Sequence, residues 1–365
     1  MKSEVDLLLD LVAIPSVSSM SNRPVIDYAL RQLDPKAWAT KVYPYGEKIN
    51  LVTVTRSPVK RAPELALVCH TDTVPFDPAW PEAVNPRIRA GKLYGRGSCD
   101  VKGFLACVLA AVSQIDVGRL SKPLAIVLTA DEEIGCIGAK FLARKKAIRA
   151  RYAIIGEPTG LRPVRAGKGY ALGEIVVRGK EAHSAFPSRG HSAIYDAARV
   201  IARLEQVAKK LATRKNKDFD PPYTTLNVGL IRGGTAKNIV PGECRITVEW
   251  RPVPGDDATR ATALIQEELA RLGVDARFQV QRMDPPFHPS PTEELATLVE
   301  TLSRSSSTTV AFGTEAAHLR SLTTETIVFG PGNMETAHKS GECVPVRELS
   351  RSVALLKTVI KTLCA

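Results

Sequence analysis

The 365-residue sequence has no cysteine pair at CxxC spacing, few aromatic residues and no apolar run near the length of a membrane span. Its seven cysteines (Cys69, Cys99, Cys107, Cys136, Cys244, Cys343, Cys364) stand in mostly apolar company. That excludes a zinc ribbon or a disulfide framework and fits buried thiols in a reducing compartment. The longest unbroken apolar run is 104–112, whereas a spanning helix needs about 18 such residues or more. Glu4, Asp6 and Asp10 interrupt the N-terminal apolar pattern, which predicts an amphipathic helix ending before Pro15 and not the apolar stretch of a signal peptide. The formal net charge is +12, yet aromatics are only 5% of residues, too few for a cationic stripe interleaved with stacking rings. The one dense basic group, Lys209, Lys210, Arg214, Lys215 and Lys217, falls near a predicted helix end, where cations are ordinarily favourable. These absences predict a cytoplasmic protein whose partner is neither a nucleic acid nor a membrane.

The length suggests about two domains. Apolar runs at 49–54, 65–69, 124–129 and 152–155 alternate with helical patterns at 101–115 and 138–150. Near-continuous runs such as LALVC and LAIVLT suit strands covered on both faces, so this part predicts an α/β fold with a mixed central sheet and flanking helices. Between 164 and 289 the order changes to strand 171–177, helix 193–211, strands 225–230 and 244–250, helix 258–272 and strand 276–281. That is the β-α-β-β-α-β order of a ferredoxin-like unit. Turn chemistry bounds it: Gly167, Lys168 and Gly169 before, and the proline-rich 283–291 after. The expected organisation is a catalytic metal-binding domain from 1–165 and 290–365, the latter adding a helix at 293–303, a strand at 326–329 and a final helix at 346–363, with residues 166–289 as an inserted domain.

Candidate chemistry gathers where strands end. The run LALVC delivers His70 and, two residues on, Asp72; one could ligate a metal while the other orients it. Asp100 lies among Gly95, Gly97 and Gly103 at a helix start, a position that suits an N-cap or a fixed carboxylate. LAIVLT runs through Ala130 into Asp131, Glu132 and Glu133, and three adjacent carboxylates repel one another unless solvent or a cation intervenes. One glutamate of such a run can ligate while its neighbour serves as general base. Glu157 follows a fourth apolar run, and His338 follows a strand and a Gly/Pro-rich loop. Each segment alone also reads as an ordinary turn. Together they fall at the sheet edge where open α/β folds keep their sites, and two histidines with several carboxylates suit a pair of Zn²⁺ ions, or Co²⁺ or Mn²⁺.

The segments HTDTVP (70–75), GRGSCDVKG (95–103), ADEE (130–133), GEPT (156–159), EAHS (181–184), NIVP (238–241), GTEA (313–316) and AHKSGE (337–342) occur in an order and spacing that resembles a family of dinuclear zinc deacylases and peptidases. That family includes acetylornithine deacetylases, desuccinylases, aminoacylases and glutamate carboxypeptidases, and the resemblance covers nearly the whole chain. It implies a zinc-exopeptidase-like catalytic domain in which Asp100 bridges two metals, His70 and Glu157 complete one site, and Glu133 and His338 complete the other. It further implies Glu132 as general base and acid and Asp72 as the partner that orients His70. The inserted domain would be a lid and dimerisation domain, from which His183 would reach the partner subunit's site and stabilise an oxyanion. Asn238, Arg251, Gly313, Thr314 and Glu315 match substrate-binding positions, with Arg251 as a bidentate clamp for an α-carboxylate. HTDTVP, the Cys99–Asp100 pair and GTEA look most like the branch that removes acetyl groups from amino acids such as acetylornithine. Desuccinylases and metallo-peptidases of the same family are the alternative. His191, His288 and His318 receive no role.

Overall fold

A computed structural model describes residues 2–57 and 61–365. The chain divides into two compact units: one holds the residues up to Arg165 with Pro289–Thr308 and Thr314–Ala365, the other Ala166–His288 with Thr309–Gly313.

In the first unit, strands Leu65–His70 and Leu124–Thr129 are buried at every position, and Ala150–Ile155 at all but one. Strand Leu65–His70 pairs in parallel with both neighbours, and Thr323–Val328 joins Ala150–Ile155 in parallel. Antiparallel strands Lys48–Thr55 and Trp38–Tyr45 extend the other side, so the sheet is mixed. Helix Lys102–Ser113 is apolar on all sides and buried from Lys102 to Val112, as a helix enclosed by sheet and further helices must be. Helices Glu4–Val12 and Val346–Cys364 pack against it, joining Leu7, Leu8, Leu11, Leu349, Val353 and Leu356 to one apolar cluster. Helix Glu294–Ser303 starts on a buried carboxylate: the N–H groups of Leu295 and Ala296 donate to Glu325 at 3.0 and 2.8 Å, a favourable charge at a helix N-terminus.

The second unit is an antiparallel four-stranded sheet in the order Thr225–Gly233, Glu243–Arg251, Tyr170–Arg178, Ala276–Asp284. Along Tyr170–Arg178 buried and half-buried positions alternate, the mark of a sheet covered on one face. Helices Ala193–Leu211 and Arg260–Leu272 supply that cover, with Val200, Leu204 and Ile265 meeting Ile175, Val177 and Trp250. The element order is strand, helix, two strands, helix, strand. Beside the sheet, Ala182–His183 pairs with Ile239–Val240 as a two-stranded ribbon.

Two boundaries depart from expectation. The helix expected over 138–150 ends at Lys145, because Lys146 turns into the left-handed region (φ 47) and the N–H groups of Lys146 and Ala147 donate back to Ala143 and Leu142, a C-terminal closure. The strand Trp38–Tyr45 was not expected at all. It is exposed at most positions and contains Pro44, so no apolar run announces it, and it survives as an edge strand where both are tolerated.

Gly156 joins strand Ala150–Ile155 to Glu157, and a Cβ there would lie 2.1 Å from the ring of the fully buried Phe104. Gly156→Ala is therefore expected to lower the unfolding free energy by about 1–3 kcal/mol, the usual range for overpacking a core. A urea midpoint indistinguishable from that of the parent chain would overturn the assignment of this contact.

Candidate active site

Three parallel strands stop at the same edge of the first unit's sheet, and each hands on a chemically active side chain. His70 is the last residue of its strand and pairs with Thr129, three residues before Glu132, while Val68 pairs with Ile155, two before Glu157. Parallel pairing in register thus converts positions far apart in the chain into neighbours at one sheet end.

His70 is 1% exposed. Its Nδ1–H donates to the main-chain carbonyl of Asp72 at 3.0 Å, closer than the 3.6 Å to that residue's carboxylate. The orienting acceptor is therefore chiefly the Asp72 backbone. The Asp72 carboxylate instead receives the Ser18 hydroxyl at 2.7 Å and the N–H groups of Glu132 and Glu133 at 3.0 and 3.3 Å, fixing the loop that carries both glutamates. Ser18 was not singled out from sequence; nothing local in IPSVSSM marks it.

With Nδ1 occupied, Nε2 of His70 faces Asp100 Oδ1 at 3.0 Å, and the other Asp100 oxygen lies 3.2 Å from Nε2 of His338. One carboxylate is shared between two imidazoles. His338 also meets Glu133 at 3.1 Å. His70, Asp100 and Glu133 each offer a ligand atom, all within 4.8 Å of one another. The imidazole–carboxylate separations approach the roughly 3.3 Å ligand–ligand edge of a tetrahedral ion with bonds of 2.0–2.1 Å, and the donor set of nitrogen and oxygen suits zinc. These residues fit a metal.

The adjacent carboxylates divide their work. Asp131, at φ 56, turns to Lys48 with 3.0 Å between Oδ1 and Nζ, whereas Glu132 accepts the Cys136 thiol at 3.3 Å. Burial, and then the negative charges around it against the partial relief of His70, push the Glu132 carboxyl up to about 8. Glu157, 5% exposed, is raised well above the usual range by burial and by Asp100 and Glu132. Burial also opposes charge on Asp100, but the hydrogen bonds from His338 and His70 win and hold it low.

The remaining expected residues lie elsewhere. In the second unit, His183 and Asn238 come together, since the Ser184 N–H donates to the Asn238 carbonyl at 3.0 Å. His183 is exposed, and its Nδ1 accepts the Ala185 N–H at 3.1 Å, which places its proton on Nε2. Arg251 Nε donates to Glu249 at 2.8 Å while its guanidinium lies over the Tyr170 ring. Of the 313–315 triplet, Gly313 lies beside Tyr170, and the Thr314 hydroxyl accepts the Ala316 N–H. Glu315 is fully buried and accepts the Thr129 hydroxyl at 2.7 Å, so in this conformation it stands beneath the carboxylate cluster and not on an open wall. Glu342 is a further residue that sequence reasoning passed over. It is fully buried, and its Oε1 accepts the N–H groups of both Cys99 and Asp100 at 3.0 Å. The available signal was a carboxylate four residues beyond His338.

A mixed α/β sheet ending in shared carboxylates and imidazoles defines a metal-dependent hydrolase. Residues 66–362 match the family model described as Peptidase family M20/M25/M40, and the chain belongs to that family. An acetylornithine deacetylase of Myxococcus xanthus is 44% identical over 368 residues, covering 98% of this chain and 96% of that protein. Among solved structures, the aminopeptidase PepT of Bacillus cereus superposes with a TM-score of 0.80 at 22% identity, covering 99% of this chain and 98% of the other. A metallo-carboxypeptidase of Sulfolobus solfataricus gives 0.80 at 16%, covering 99% of both chains. A Bacillus subtilis protein described as a dinuclear metal-binding peptidase gives 0.68 at 13%, covering 99% and 97%. These similarities establish the fold.

Without metal, both imidazoles hold a proton more tightly than usual. Hydrogen bonds to Asp100 and Glu133 push His338 up to about 10, and His70 is raised well above its ordinary value by Asp100 and Asp72 despite burial. A metal takes neutral imidazole, so binding must expel these protons, and affinity must rise with pH by about tenfold per unit for each proton released. Zinc titration at pH 6 and pH 8 measures this. Affinity that does not change between them would contradict the ligand assignment.

Proposed function

We propose that this chain hydrolyses the amide bond of N-acetylornithine to ornithine and acetate, as a step of arginine biosynthesis. The observation that carries the reaction type is the Asp100 carboxylate shared between His70 and His338, with Glu132 beside it. The observation that supports the substrate is the 44% identity to the Myxococcus xanthus enzyme across nearly both lengths.

His70, Asp100 and Glu157 would hold one Zn²⁺, and Asp100, Glu133 and His338 a second, with Co²⁺ or Mn²⁺ as substitutes. When bound, the metal supplies Lewis-acid polarisation of the acyl carbonyl and an acidified water. Glu132 takes a proton from the attacking water and returns it to the leaving amine; a carboxyl raised to about 8 is matched to moving a proton in both directions near neutral pH. Asp72 holds Glu132 and Glu133 by their main-chain N–H groups and, through its carbonyl, holds the His70 ring. His183, with its proton on Nε2, is a donor suited to an oxyanion in the partner subunit's site. Arg251 is the seat for the α-carboxylate, Asn238 and Gly313 further contacts.

A homodimer through residues 166–289 is supported by Thr225–Gly233, which ends its sheet and leaves Leu230 and Ile231 half exposed, with Tyr195 77% exposed. An edge strand bearing apolar side chains invites pairing with a second copy. Among the described residues no helix is long and apolar enough to cross a membrane, and the seven cysteines are all free and buried, as suits a cytoplasmic enzyme.

One observation favours a second reading. Arg251 and Arg282 lie over the Tyr170 ring at 5.0 and 4.7 Å, and Lys168 is buried close by, donating to the Tyr223 carbonyl at 2.8 Å. Glu249 and Asp284 pair with the two arginines, so Lys168 is the cation left to meet an additional carboxylate, as in N-succinylated amino acids. Initial rates on N-acetylornithine and N-succinyl-diaminopimelate, with zinc-loaded protein and a chelated reference, decide between them. Metal-dependent release of ornithine supports the first reading; turnover of the succinylated substrate alone would replace it.

Glu132→Gln is expected to retain zinc and lower kcat by about 10²–10⁴-fold, the range for a positioned general base. Near-parental kcat in that variant would remove Glu132 from the proton path.

A further inference from the structure

Glu342 takes five hydrogen bonds from one short loop. Its Oε1 receives the N–H groups of Cys99 and Asp100, each at 3.0 Å, while its main-chain carbonyl receives the Gly95 N–H at 3.0 Å and the Ser98 hydroxyl at 3.4 Å. Both ends of the GRGSCD segment are thereby tied to one residue. The other carboxylate oxygen, Oε2, meets Arg96 Nη1 at 2.6 Å. Arg96 is anchored in turn by the Pro75 carbonyl at 3.2 Å and lies over the Trp80 ring.

The pair is buried, with side-chain exposures of 5% for Arg96 and 0% for Glu342. Two charges removed from water are a poor source of stability, since desolvation offsets most of their attraction. What such a pair does provide is a fixed geometry. Asp100 must point one oxygen at His70 and the other at His338, and after its backbone is fixed only two side-chain torsions remain. Glu342 lies four residues beyond His338, so one side chain joins the loop of the shared carboxylate to the loop of one of its two imidazoles.

We propose that Glu342, with Arg96 as its counter-ion, is a positioning residue that orients Asp100 between His70 and His338 and so sets the affinity of the metal centre. The proposal rests on the reading of Asp100 as a ligand common to two metals. Partners outside the ligand set commonly change metal affinity by 10–100-fold when lost. A glutamine at 342 keeps the size and one acceptor for the two N–H groups but turns an amide donor toward the Arg96 guanidinium, so it disturbs the orientation without opening a cavity.

The test is zinc affinity, measured without substrate by competition with a chelator, in E342Q and in R96K, each first shown to be folded by its thermal transition. We expect zinc binding about 10–100-fold weaker in E342Q and several-fold weaker in R96K, which keeps the cation but loses the guanidinium fork. We also expect kcat depressed at limiting zinc and recovered at saturating zinc, with KM within about threefold of the parent. A merely structural residue would lower the thermal transition and leave the zinc affinity of the folded protein intact; that result in E342Q overturns the proposal, and if E342Q does not fold, the same result in R96K overturns it. Because zinc affinity is read without turnover, an inactive parent that binds zinc normally would sink the proposed substrate and leave this inference standing.

Discussion

Mutual repulsion among buried carboxylates is the constraint on which the first unit depends. Asp72, Asp100 and Glu157 are at most 5% exposed, and Glu133 has a side-chain exposure of 6%, yet all converge with Glu132 on two imidazoles. Such a set is unstable as a set of bare anions. The metal-free chain answers in two ways. Both histidines hold their protons more tightly against Asp100, and Glu132, Glu133 and Glu157 have raised carboxyl pKa values. Protons thus stand in for the positive charge that metal ions bring.

The fold supplies the rigidity this requires. Apolar strands buried along their length end together, and their parallel register leaves little freedom in where His70, Glu132 and Glu157 emerge. The loops beyond the strand ends are less constrained by pairing and are held by individual polar anchors: Asp72 for 132–133, Lys48 for Asp131, Glu342 for 95–100. Each anchor is itself charged, so the charged side chains around the site brace one another's positions. Removing any one leaves a buried group without its partner, which costs more than an exposed pair is worth.

Much of this was legible in the sequence, for identifiable reasons. Continuous apolar runs mark strands covered on both faces, and alternating strand and helix patterns fix their neighbours, so the sheet and the β-α-β-β-α-β order of the second unit could be read. So could the carboxylates and histidines that follow those runs. Trp38–Tyr45 escaped because an exposed edge strand has no buried face to impose a pattern. That the Asp72 carbonyl lies nearer His70 Nδ1 than the Asp72 carboxylate does escaped because HxD spacing does not distinguish the two acceptors of one residue. Arg96–Glu342 and Ser18–Asp72 escaped because their partners are 246 and 54 residues apart, and no local period encodes a contact of that range.

The net charge of +12, uninformative as a total, gains meaning from how charge is distributed. The first unit concentrates anions around two histidines, a place that attracts cationic metal and whose acids and bases can move protons. The second unit places Lys168, Arg251 and Arg282 about one aromatic ring. Glu249 and Asp284 balance the two arginines, which leaves the buried Lys168 as the cation held by a neutral carbonyl alone among its described hydrogen bonds. In each unit, charges of opposite sign are thus set against one another: carboxylates against two imidazoles in the first, arginines against Glu249 and Asp284 in the second.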